Sequence, residues 1–210
     1  MILLAATAIF ASCGQSSSEE KSAAKASPEQ EVTEKVCTYS YDHSASEFVW
    51  TAYKYNQKTG VKGTFDVISV SGLDGTGSVT DVFSEGEITI ATGSVNSGDP
   101  TRDPKIVEHF FGQLENGETM NIKVSEVTDN TMTFDITMNG QTKMITSNYT
   151  LEGNELEARA EIDVNTWGAQ NGIDMLNEVC EDLHKGADGE SVLWPDVSLL
   201  ITTTLIENCN

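Results

Sequence analysis

The sequence predicts an all-β protein: a closed antiparallel β-barrel of about eight strands, with a short corner helix and one helix before the last strand. Three observations lead there. Apolar side chains alternate in steps of two over many successive short segments, the period of a strand with one buried face. Turn residues separate those segments, with Asn139-Gly140 the strongest two-residue hairpin signal in the chain. One stretch, Ser94 to Phe111, breaks the alternation with two prolines, Pro100 and Pro104. Evenly spaced strands with one apolar face can bury that face by closing on themselves, which also removes the sheet edges.

In chain order, Glu47 to Tyr55 is the first strand, with Phe48, Trp50 and Ala52 on one face and Val49, Thr51, Tyr53 and Tyr55 on the other. Asn56 to Gly60 is turn material, and Val61 to Val67 returns with Val61, Gly63 and Phe65 on one face. Gly63 inside a strand indicates a bend or a close approach. Residues 72–77 read as a glycine-rich loop, and Glu87 to Thr92 as a strand with Ile88 and Ile90 inward. At the corner, Val107, Phe110 and Phe111 fall at helical spacing. Pro104 suits that helix's first turn and Asp103 its N-cap, and the two phenylalanines are expected in the core.

Beyond the corner, Glu118 to Val127 points Met120, Ile122 and Val124 inward, and the next strand alternates Met132, Phe134, Ile136 and Met138. Thr142 to Leu151 and Glu155 to Val164 form the following pair around Gly153-Asn154, the latter strand ending near Trp167-Gly168. Ile173, Leu176, Val179, Cys180 and Leu183 follow helical spacing, which predicts one amphipathic helix over 173–184 stopped by Gly186. A last strand spans Val192 to Ile206, starting around Pro195.

The N-terminus has a different character. Residues 1–12 are short and apolar and end in small residues, which reads as a signal peptide. Phe10-Ala11-Ser12-Cys13 resembles a bacterial lipobox, which makes Cys13 the expected lipidated residue, although no Lys or Arg precedes the apolar run. Residues 13–36 are rich in Ser, Ala, Glu and Lys, contain Pro28 and lack aromatics, the composition of a flexible tether to a domain spanning 37–210. Glu19-Glu20 resembles the acidic signals of some surface-displayed lipoproteins. The expected location is the bacterial envelope, on an outer-membrane anchor, periplasmic or surface-exposed. Of the remaining cysteines, Cys37 opens the domain and Cys209 nearly closes it. An even-stranded up-and-down barrel brings its two ends to one rim, so the expected disulfide is Cys37–Cys209 with Cys180 left over.

Composition limits the function. The 210 residues carry 12 Lys+Arg against 33 Asp+Glu, a formal charge of −21, which excludes nucleic acid as a natural partner. No internal run approaches the roughly eighteen apolar residues of a membrane helix. His43, His109 and His184 lie far apart, and no nucleophile elbow, phosphate loop, zinc motif or calcium loop is present. No catalytic residue, metal site or cofactor beyond a bound lipid is therefore expected. Arg102-Asp103 would either pin the corner loop as an ion pair or meet a ligand's head group.

Several motifs together resemble the YceI family of bacterial envelope proteins: Phe48-Val-Trp50 with Val61-Lys-Gly-Thr-Phe65, Ser94-Val95 followed by Arg102-Asp103, Phe110-Phe111, and Ala160 to Val164 with Trp167-Gly168. The chain departs from that pattern at Lys54, where many members carry a histidine, and at Asn139-Gly140, where the usual histidine before Gly is missing. The resemblance implies a lipocalin-like barrel that binds an isoprenoid or similar long-chain lipid inside. The residues expected to serve it are Phe48, Trp50, Ala52, Gly63, Phe65, Ile88, Ile90, Met120, Phe134, Met138, Ala158, Ile162 and Trp167 along the interior. Arg102, Phe110 and Phe111 would lie beside one mouth. By the residues alone the same side chains would serve equally well as a filled core, in a structural or adhesive envelope protein.

Overall fold

A computed structural model describes residues 36–210; the expected signal peptide, Cys13 and nearly all of the tether lie outside the described residues. Ten strands make the main sheet. They are β2 (Ser46–Lys54), β3 (Thr59–Phe65), β4 (Ile68–Ser71), β6 (Glu87–Ala91), β7 (Val95–Asn96), β8 (Thr119–Val127), β9 (Thr131–Met138), β10 (Gln141–Glu152), β11 (Glu155–Asp163) and β12 (Leu193–Thr204). A separate three-stranded sheet joins β1 (Cys37–Ser40) to β5 (Thr76–Gly77) on one side and β13 (Ile206–Cys209) on the other.

The main sheet runs in the order β4-β6-β8-β9-β10-β11-β12-β2-β3-β7. Its two end strands are continuations of strands already inside it. β3 runs on through Asp66-Val67 into β4, and β6 runs on through one 3-10 turn into β7. Phe65 pairs with Val95 and Ile68 with Ile90, and the gap between these ladders is bridged by Asp66 N–H to Ser94 C=O and Ala91 N–H to Val67 C=O. Counting each interrupted strand once gives eight spans in a closed antiparallel ring, as the alternation predicts.

Most of the element readings hold, for local reasons. Asn139 and Gly140 both take positive φ, 50° and 65°, and place Gln141 opposite Met138 in a two-residue hairpin. All four of Met132, Phe134, Ile136 and Met138 are buried. Gly63 lies opposite Trp50, whose indole covers it; a Cβ there would overlap the ring. The final strand begins at Leu193, and Pro195 sits where its register with β2 shifts, a bulge that tolerates the missing N–H.

Four readings are corrected. The loop at 72–77 contains β5 and leads into a helix, α1 (Val79–Phe83). Ser78 caps it through a reciprocal box with Asp81, and Val79, Val82 and Phe83 are buried. The corner helix, α2 (Asp103–His109), takes Arg102 as its N-cap with no side-chain bond. Asp103 is its first residue, and its carboxylate accepts from the N–H and hydroxyl of Ser97. Arg102 pairs at 3.2 Å with Asp99 rather than Asp103. The helix expected over 173–184 starts earlier and breaks in two: α3 (Gln170–Val179) and α4 (Glu181–His184) meet at Cys180, whose φ and ψ of −114° and 19° leave the helical region. The break follows the side chains. Ile173, Leu176 and Cys180 are buried, whereas Val179 and Leu183 remain exposed, so no single face could bury all five.

Cys37 is bonded to Cys209, and Cys180 is free and buried. β2 begins and β12 ends at the same end of the barrel, so the flanking β1 and β13 meet there and pair in register, Cys37 opposite Cys209. This side sheet, α1 and Leu73 close that end, with Tyr41 edge-on to Phe83 at 6.0 Å. α2 and α3 cover the other.

Candidate ligand chamber

At the end covered by α2 and α3, the inner face of the barrel leaves a chamber of about 130 Å³. Strand alternation supplies its walls: Phe48, Trp50 and Ala52 from β2, Phe65 from β3, Met120 from β8, Met138 from β9, Ile162 from β11, and Leu193, Val197 and Leu199 from β12. Ile106 of α2, Phe110 and Phe111 after it, and Ile173 and Leu176 of α3 form its roof. The aromatic rings run as a connected edge, with centroids 6.2 Å apart for Phe48–Phe65, 6.0 Å for Phe65–Phe111 and 5.0 Å for Phe110–Phe111.

The chamber offers a ligand almost nothing polar. Its two indole N–H groups are already committed, Trp50 to the carbonyl of Thr64 at 3.2 Å and Trp194 to that of Tyr55 at 2.7 Å. A space so lined stays dry and takes apolar molecules; a cavity of about 150 Å³ lined by Leu, Ile and Phe binds benzene. The methionines at 120 and 138 can adjust to the shape of what enters.

Two smaller spaces continue down the barrel. One of about 20 Å³ lies among Phe48, Ile122, Phe134, Ile136, Ala158, Leu199 and Ile201. The other, of about 60 Å³, lies between Phe134, Ala158 and Ile201 on one side and Tyr41, Leu73, Phe83 and Ile88 on the other.

Of the residues singled out from sequence, Phe48, Trp50, Ala52, Phe65, Phe110, Phe111, Met120, Met138 and Ile162 meet at the main chamber. Phe134 and Ala158 border the two lower spaces, and Ile88 the last of them. Three residues belong to the frame instead. Gly63 is covered by Trp50. Ile90 is fully buried in the wall, and so is Trp167, whose Nε1 donates to Ile136 C=O at 2.9 Å. Arg102 lies at the rim, held by Asp99. Sequence reading missed Val95, Ile106, Val164, Ile173, Leu176, Leu193, Trp194, Val197 and Leu199 as lining residues. The alternation of Val197 and Leu199 in the last strand was a signal that could have found those two, but nothing local showed that α3 would lie over the mouth.

His184 of α4 lies outside the chamber's lining. Its Nδ1 donates to Asn177 Oδ1 at 3.0 Å, and the Ser191 hydroxyl donates to the same oxygen at 3.0 Å. Burial pushes the imidazole down to about 4, helped by the cations Lys54, Arg102 and Lys105. Lys54, where the family often has histidine, donates to the carbonyl of Leu183 at 3.0 Å. Asn139 accepts from Glu115 N–H and donates to Trp167 C=O, both at 2.7 Å. Both departures thus serve as braces between elements.

The YceI-like domain family matches residues 39–202. The chain belongs to the YceI-like family. Among the solved structures that resemble it are these two. A polyisoprenoid binding domain from Saccharophagus degradans, implicated in plant cell wall breakdown, is 15% identical with a TM-score of 0.52, covering 80% of this chain and 98% of that one. Burkholderia cenocepacia BcnA is 13% identical with a TM-score of 0.50, covering 80% and 99%. At these identities the likeness is one of fold. Among curated proteins none matches the chain significantly.

Proposed function

We propose that this YceI-like protein binds and carries, without catalysis, a long-chain apolar lipid in its barrel: an isoprenoid, an isoprenoid quinone or a fatty-acid-like chain. The observation that carries the reading is the main chamber, apolar throughout, with both indole N–H groups turned to backbone. Membership of the YceI-like family and likeness of fold to a polyisoprenoid binding domain support it. Each buried CH₂ contributes about 0.8 kcal/mol, so the part of the chain that enters supplies several kcal/mol of gross driving force. The setting we propose is the bacterial envelope, with the domain tethered to a membrane through lipid on Cys13. Cys13→Ser is then expected to release the protein from membranes.

The direct test is extraction and mass analysis of what accompanies the purified protein, where an apolar chain is expected. Ala52→Trp probes the chamber itself, because Ala52 lines it and faces open space. Binding of a fluorescent lipid is expected to fall while the melting temperature holds or rises. Outright unfolding of that variant, with no lipid recovered from the native protein, would favour a filled scaffold instead.

A further inference from the structure

The spaces inside the barrel form a series, and two side chains divide the first from the second. Phe48 and Leu199 border both the 130 Å³ chamber and the 20 Å³ space beneath it. They project from neighbouring strands. Phe48 lies opposite Ile201 and Leu199 opposite Trp50, so the two are diagonal neighbours on the inner face, within reach of one another. Phe48 points inward yet is only half-buried, because it has open space around it. The ring of Phe65 stands 6.2 Å away on the next strand.

We infer that Phe48, with Leu199, is the floor that sets how much of an apolar chain enters. This rests on the lipid-binding reading and specifies it. The ligand's tail tip stops at Phe48, and the remainder of a longer chain stays in the mouth between α2, α3 and Trp194. By comparison with benzene in a cavity of about 150 Å³, the chamber holds about six carbons of tail. The protein thus reads the end of a hydrocarbon chain and gains little from length beyond it.

A series of straight-chain 1-alkanols of increasing length, titrated against the full-length protein, tests this. Each methylene buried within the chamber raises affinity about fourfold. The expected curve climbs at that rate and then flattens where the tail reaches the floor. In Phe48→Ala the first two spaces merge and the climb continues for further carbons before flattening. Leu199→Ala moves the break in the same direction. Phe48→Leu, a smaller change, serves if thermal melts show that either alanine variant is unfolded. A native curve without a break overturns the floor but leaves lipid binding standing. So does a break at the same length in a folded Phe48 variant. Absence of binding at every length overturns both.

Discussion

At the scale of single residues, Gly63 and His184 show how little a residue's type says without its neighbours. Gly63 alternates with the inward residues of β3, yet its missing side chain makes room for Trp50 rather than for ligand. Gly63→Ala is expected to push the indole off its seat and cost about 1–3 kcal/mol, as overpacking does. Chemical denaturation measures it, and an unchanged midpoint would show that the ring can move freely. His184 is held neutral, with its pKa lowered from 6.5 to about 4. A folded-state value below the unfolded one means that the unfolded chain binds the extra proton first. His184 therefore contributes stability above pH 6.5 that is lost as pH falls towards about 4. The aspartates held low by hydrogen bonds, Asp42, Asp81, Asp99 and Asp188, have the same sign, but the ordinary carboxylate value of 3.8 puts their effect below that window. His184→Gln is expected to flatten the stability profile between pH 6.5 and about 4. An identical slope in the variant would assign the effect to other groups.

At the scale of elements, the short helices decide which ends of the barrel are open. α1 has five residues, too few to hold together on propensity alone, so its cap and its three buried side chains fix it. Ser78→Ala removes the hydroxyl arm of the capping box, leaves the Asp81 carboxylate on the backbone N–H at position 78, and is expected to cost about 0.5–2 kcal/mol, again read by denaturation. Faster amide exchange confined to α1 and the side sheet would accompany it. At the opposite end, α2 is held by Asp103 on Ser97, and α3 presses Ile173 and Leu176 onto the chamber. The Ser78-x-x-Asp81 box stands in the sequence but was not singled out there, because the glycine-rich run before it reads as loop. The split of α3 from α4 was not legible, because apolar spacing cannot say which apolar residues will find a partner.

At the scale of the whole molecule, the barrel closes through two interrupted strands, and its chain termini are stapled beside it. The Cys37–Cys209 bond joins residues 172 apart in sequence. Loss of so long a covalent loop is expected to cost about 2–5 kcal/mol. Cys37→Ser, compared with the native protein under non-reducing conditions, measures it. An unchanged midpoint would mean that the side sheet holds the ends together unaided.

The sequence by itself determined the eight spans of the barrel, the inward faces of most of them, the Asn139-Gly140 hairpin, the corner helix and the pairing of the outer cysteines. Those features rest on local periodicity, turn chemistry and the parity of an even-stranded ring, all of which are written along the chain. Tertiary structure alone decided that β3 continues into β4 and β6 into β7, and that Trp167 and Ile90 belong to the wall. It also decided that residues from α2, α3 and β12 complete the chamber with those of β2. Phe48 and Leu199 are separated by most of the chain, and only the closure of the ring puts them side by side. The alternation that turns a side chain inward is the same whether it meets a void, a ligand or another side chain. What it meets depends on the volumes of partners from distant strands, and those volumes are compared only once the barrel has closed.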